Sequence, residues 1–430
     1  MRKAWIQLTM SYLFVTAAAG VLMRSIAIIP MPGIDYTHIL HAHSHLAILG
    51  WGYMALFLLF IANFFNSEER NGIQLRSMFW LTQLTIVGMF IAFSLQGYAL
   101  FSISFSTLQI LLSYWFAAFV WRHLRRQIGN SSKKPVSHVF AKGSLICLVV
   151  SSIGPWMLAV LSAKQLNGTA LYDAAIYFYL HFQYNGWFTF GLIAILLRIF
   201  EKKGIRYPEK LAKLQFRLYA WSLPPSFLLS VLGLKADLLW YATAAIGALL
   251  QWAAILLLVI IVFQVRSSIM NLFEGWAGKF FLLSFVALFL KATMEIGSAV
   301  PGLSALIFES RSIVIGYLHL TLLGFVSFLF ISFFLQQGWL GQSRRAERMG
   351  YVFFLSGFIV NELVLFLQGL FDWLQLGALV YERELLWAAS IGMAAGVVMF
   401  WMKGRPRVQK ENTSAQVIFI DGKSNIFNRV

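Results

Sequence analysis

The chain has 430 residues, of which 59% are hydrophobic and 12% charged, and its mean hydropathy is +0.73. A soluble domain carries about twice that share of charge, so a water-soluble globular protein is excluded. The net charge of +17 invites a nucleic-acid partner, but the places where the charge falls argue against one.

Apolar runs of about 20 residues recur throughout, long enough for helices to cross a bilayer core. Only structures that satisfy their own backbone polar groups survive in hydrocarbon. The fold class expected is therefore an all-α polytopic membrane protein. Twelve spans are predicted in chain order, at 5–29, 41–65, 75–96, 101–121, 139–163, 172–200, 214–234, 238–265, 276–300, 312–336, 351–371 and 385–402. They make one transmembrane domain over residues 1–402, followed by a polar tail at 403–430 in which "VIFIDG" has the pattern of a short strand.

With both termini on one side, that side holds 28 of the 34 Lys and Arg residues, a few of them just inside span ends, and it collects Arg2, Lys3, "WRHLRRQIGNSSKKPVSH", "RIFEKKGIRYPEKLAK", "GQSRRAERMG" and "KGRPRVQK". The other side holds Arg24, Lys164, Lys235, Arg311 and Arg383, and Lys291 falls deep inside a span. This is the positive-inside bias, which places the N and C termini and the tail in the cytoplasm. The basicity reports topology. The partner it implies is the lipid bilayer, including anionic headgroups at the basic face, with no nucleic acid. The single cysteine, Cys147, excludes a disulfide framework, a Cys-x-x-Cys redox pair and a c-type haem attachment site. The first apolar stretch is too long for a signal-peptide h-region and reads as a span.

A repeat is visible in the second, sixth and tenth spans. "HLAILGW" begins at His45, "HFQYNGW" at His181 and "HLTLLGF" at His319. Each reads His, four residues, Gly, then Trp or Phe. The spacing divides the spans as four plus four plus four in a pseudo-threefold arrangement, with repeats at about 1–138, 139–275 and 276–402. All three helices enter from the outer side, so the three imidazoles share a level in the outer half of the bilayer.

An ionisable residue inside a membrane is a functional candidate by default. Neutral imidazole is the commonest metal ligand and a standard axial ligand of haem iron. The first motif is embedded in "HILHAHSHLAILGW", with His38, His41, His43 and His45 close together. Helical spacing puts His41 and His45 on one face, His38 near it, and His43 on the opposite side. His38 and His41 also fit a bland role as interfacial polar groups. Lys291 and Glu295 are spaced for an internal ion pair, and Asn361 and Glu362 for an interhelical hydrogen bond or a step in a proton path. Arg311 and Arg383 lie where they can pair with carboxylates or snorkel to the interface. The chain has no His-Glu-x-x-His, Gly-x-Ser-x-Gly or phosphate-binding Gly-rich loop.

Twelve spans, the threefold division and histidines on helices 2, 6 and 10 resemble subunit I of the haem–copper oxidases, closest to the C-type oxidases and nitric oxide reductases. "HAHSHLAILGW" also looks like segments of the NnrS family of membrane haem proteins. The resemblance covers the topology of the whole chain but only short motifs of its sequence. It implies one haem b between helices 2 and 10, with His319 opposite His43 or His45 and His41 as a further candidate. It also implies copper or non-haem iron at His181, a bacterial inner membrane, and a redox partner or additional subunits. The chain departs from that family in two places. Span 7, "LQFRLYAWSLPPSFLLSVLGL", lacks the family's His–His pair, and Tyr317 stands where the first histidine of helix 10 belongs. The reading is thus an oxidase-like haem b protein for electron transfer, sensing or nitric oxide and oxygen handling, without a complete binuclear centre. Whether it is an oxidoreductase is left open. The alternative is a non-catalytic twelve-span transporter, or a metal-delivery or assembly protein on the same scaffold.

Overall fold

The computed structural model describes residues 2–129, 135–233 and 237–402. Lys133, Lys134, Lys235 and the whole tail with its "VIFIDG" stretch lie outside the described residues. The elements are α1 Lys3–Ile26, α2 Tyr36–Phe64, α3 Ile73–Gln96, α4 Leu100–Ile128, α5 Val136–Ala163, α6 (170–202), α7 (209–231), α8 Leu238–Gln264, α9 Trp276–Ser298, α10 Arg311–Gln336, α11 Arg345–Trp373 and α12 Glu382–Met402. Short helices at Arg266–Leu272 and Pro301–Glu309 link α8 to α9 and α9 to α10. Among the described residues there is no strand. Ten of these helices are long and apolar enough to cross a membrane. The other two, α6 and α7, stand where the sixth and seventh spans are predicted. The protein is an all-α polytopic membrane protein.

Several boundaries differ from the sequence expectation for identifiable reasons. Helix α2 begins at Tyr36, one turn earlier than predicted, because Asp35 caps it. The Asp35 carboxylate accepts from the backbone N–H of Thr37 at 2.7 Å and of His38 at 3.2 Å. Those donors, His38 first, hold its carboxyl below the usual carboxylate range. His38, outside the predicted span, therefore sits within the helix, one turn before His41. Helix α4 runs on to Ile128, so that Arg122, Arg125 and Arg126 occupy its final turns, where cations oppose the helix dipole.

Three helices form the centre. The apolar windows of α2 and α10 are 83% and 78% buried, against 28–50% for the other eight apolar helices. In α6 every residue from 183 to 197 is buried. Residues 50–65 of α2 and 324–335 of α10 are likewise buried without interruption. Aromatic side chains interlock the three. Trp187 of α6 stacks on Phe60 of α2 with centroids 5.6 Å apart, and Trp51 of α2 meets Phe330 and Phe334 of α10 edge-on. The Trp51 indole N–H donates to Ser327 Oγ at 2.8 Å. The aromatic that follows each motif glycine is thus part of the shared core.

The repeat seen as letters also recurs as backbone geometry. Immediately after His45, His181 and His319 the helix widens into a π-turn, at Leu46–Tyr53, Phe182–Phe188 and Leu320–Ser327. In two of the three a hydroxyl eight residues past the histidine bonds the carbonyl five residues back: Thr189 to Tyr184 and Ser327 to Leu322, both at 2.7 Å. The corresponding residue of α2 is Tyr53, whose buried hydroxyl has no partner among the described residues. Single π-turns in α-helices concentrate at functional sites. Two of the motif glycines lie where a side chain has no room. A Cβ on Gly186 would fall 2.4 Å from Cβ of Cys147, and one on Gly324 would fall 2.8 Å from the Phe358 ring.

Candidate functional site

The π-turns divide each central helix. The half toward the basic connections is solid core. The other half carries the histidines and is only partly buried in all three helices. Between α1, α2 and α10 the side chains of His43 and His319 remain half-buried although Ala42, Leu46, Gly316 and Leu320 beside them are buried. The two imidazoles are within electrostatic reach of each other and of Arg24.

Each ring is held in one orientation. His43 Nδ1 donates to the Thr16 carbonyl of α1 at 3.0 Å, and His319 Nδ1 donates to the Ile315 carbonyl at 3.0 Å. A proton fixed on Nδ1 leaves Nε2 as a bare lone pair, the state a metal requires. Neither Nε2 has a hydrogen-bond partner among the described residues. Gly20 of α1 lies against the His43 ring, and a Cβ there would stand 3.4 Å from its Cε1. Arg24 of α1 and Arg311 at the start of α10 interact electrostatically at the rim, and Arg311 lies 6.0 Å from the centroid of the Tyr36 ring. Two imidazoles whose Nε2 atoms have no partner among the described residues, beside Arg24 and Arg311, are side chains that would hold a haem and its carboxylates.

His41 and His45 face the other way, toward α3. The His45 ring stacks on Phe93 with centroids 4.1 Å apart, and His41 meets Tyr98 edge-on at 4.6 Å. His45 Nδ1 donates to the His41 carbonyl at 2.9 Å. Of the α2 histidines, His43 is the one that interacts electrostatically with His319, while His41 and His45 lie on the side that meets α3.

The third motif histidine is closed. His181 Nε2 donates to the Leu223 carbonyl of α7 at 3.0 Å, and its Nδ1 accepts from the Asn185 amide at 3.2 Å. The same Asn185 accepts from Lys291 Nζ at 2.7 Å and from Gln251 at 3.2 Å. Lys291 pairs with Glu295 at 2.7 Å. Gln251 and Tyr317 complete the Glu295 carboxylate at 3.0 and 2.7 Å. Lys291 is 1% and Glu295 6% exposed, and charges buried so deeply persist only when paired and fully hydrogen-bonded. Among the described residues no three His, Cys, Asp or Glu side chains gather as a metal-binding group. His181 thus has both nitrogens committed and no companion ligand.

Tyr317, which stands where the family's first helix-10 histidine belongs, gives its hydroxyl to Glu295. One further expectation changes: Asn361 and Glu362, predicted to bond between helices, bond each other within α11 at 3.0 Å, and Glu362 Oε2 has no partner among the described residues. The sequence reading also passed over α1. Thr16, Gly20 and Arg24 complete the surroundings of His43, and the one legible signal was an arginine just inside the outer end of a span. No family model matches the chain, and no curated protein matches it.

Proposed function

We propose that the chain is an integral membrane haem b protein on a haem–copper-oxidase-like scaffold, with His43 and His319 as axial ligands and electron transfer as its role. The observation that supports this most directly is the matched state of these two histidines. On α2 and α10 alike, Nδ1 is tied to a backbone carbonyl and Nε2 is bare. A haem, if held by both His43 and His319, would supply one-electron transfer, and the two rings would leave no position for a gas. The chain's own contribution is to hold the two rings, to place Arg24 and Arg311 at the rim, and to exclude water from the half of the bundle beyond the π-turns. The His181 cleft is closed by its own side chains, which supports a single haem and no binuclear centre. The basic connections on one face support cytoplasmic termini, and the resemblance to the oxidases is what implies a bacterial inner membrane.

Purified protein is expected to show a Soret band and sharp α and β bands on reduction. His43→Ala and His319→Ala should each abolish the six-coordinate spectrum, while His181→Gln should keep it. An unchanged spectrum in either alanine variant would remove the assignment. A proton-coupled transporter remains the second reading, favoured by Glu362 with its unpartnered Oε2. It predicts a colourless protein whose solute flux depends on Glu362.

A further inference from the structure

His38, His41 and His45 form a stripe along the α3-facing side of α2, opposite His43. His41 and His45 are one helical turn apart on one face. We propose that these two side chains form a copper(I) site in the half of the bundle away from the basic connections, separate from the haem cleft and not dependent on the haem assignment.

The rings are prepared as ligands are. The His45 Nδ1 bond to the His41 carbonyl fixes its orientation and frees Nε2. No ring nitrogen of His41 has a hydrogen-bond partner among the described residues. Phe93 stacked on His45 and Tyr98 edge-on to His41 limit the motion of both rings. The corner between α3 and α4 reaches one turn further out, to His38. Gly97, at φ +60°, lies so close that a Cβ would fall 2.6 Å from His38 Cδ2. Only glycine allows that approach.

The donor set selects the ion. With no group of three metal-binding side chains among the described residues, the site offers two protein ligands, both neutral imidazoles. The one carboxylate that interacts electrostatically with His41 is Asp35, at the start of α2, so a divalent ion beside Phe93 and Tyr98 would bring two charges into an aromatic setting with no carboxylate ligand, which is costly. Imidazole suits copper as well as zinc, iron and nickel, and of these ions copper(I) alone carries a single charge into the site. His38 gives an arriving ion a first contact nearer the surface.

The test presents Cu(I) alone, from a bicinchoninate buffer without oxygen, to the full-length protein in detergent. Wild type should withdraw one Cu(I) per chain, and copper-edge X-ray absorption should show imidazole scattering. Losing a ligand should weaken binding at least as much as losing a ligand's support does, at least about tenfold for His41→Ala or His45→Ala. His45→Gln, which keeps a polar side chain, should show the same loss while eluting as a monodisperse species. His43→Ala should lose haem and keep copper. Failure of wild type to withdraw copper would overturn the proposal. So would a His41→Ala/His45→Ala double variant that binds copper as tightly as wild type.

Discussion

The cleft holding His43 and His319 and the cleft holding His181 contrast in one chemical respect. His319 and His181 occupy the same position of a repeated motif, and both precede a π-turn. Yet His319 keeps its proton on Nδ1 and leaves Nε2 bare, while His181 donates from Nε2 and fills Nδ1 from Asn185. The neighbours decide this. Beside His319 the carbonyl of Ile315 takes the proton. Beside His181 the carbonyl of Leu223 on α7 lies within reach of Nε2, and the Lys291–Glu295 pair fills the space. His319 keeps one ring nitrogen without a partner among the described residues, and the His181 site is stabilised by its own side chains.

Breaking each cleft should therefore fail differently. The largest effect is expected from Lys291→Met, which strands Glu295 in a buried, apolar setting. Removing one partner of such a pair costs about 3–5 kcal/mol. The loss should appear as a fall in the thermal unfolding midpoint. Lys291→Met combined with Glu295→Leu should recover most of it, because replacing both charges by apolar groups of similar size is often neutral. If the double variant is as unstable as the single one, the pair is not the closure described here.

Tyr317→Phe removes one donor to Glu295 and should cost about 1.5–3 kcal/mol, as hydrogen bonds to charged groups do. The haem spectrum should be unchanged. A lost or shifted spectrum would return Tyr317 to the haem cleft. Gly186→Ala forces a Cβ onto Cys147 and should cost about 1–3 kcal/mol by overpacking. Cys147→Gly in the same chain should relieve the clash, and an additive loss would show that the glycine serves the π-turn itself.

The smallest effect concerns the entry to the open cleft. The Asp35 cap has a folded-state pKa below its unfolded value, so it stabilises α2 above the unfolded pKa and that contribution is lost as pH falls through the folded one. Asp35→Asn retains a capping oxygen and should remove this acid sensitivity with little change at neutral pH. Unfolding followed from pH 7 downward would show it, and an unaltered acid limb would discount the cap.

Much of the architecture was legible in the chain. Apolar length gave the spans, and the His–Gly–aromatic repeat picked out the three helices that turn out to be central. The opposed faces of His43 and of His41 with His45 follow from helical period alone. Other features depend on what lies across the bundle. Nothing in "HFQYNGW" distinguishes a ring that bonds Leu223 from one left open, because the partner comes from a helix 42 residues away. Asn185 and Gln251 are ordinary polar residues until Lys291 and Glu295 meet them. The π-turns have no letter pattern beyond the glycine. Asp35 before a helix was a readable cap, and missing it misplaced the start of α2.

The most direct test is the number of haems per chain in purified wild-type protein, by pyridine haemochrome assay against quantitative amino-acid analysis, with the low-spin state read by electron paramagnetic resonance. An open His43–His319 cleft beside a closed His181 cleft predicts one b-type haem per chain, low-spin in both oxidation states. A protein without haem, or with a second, high-spin haem, would contradict it.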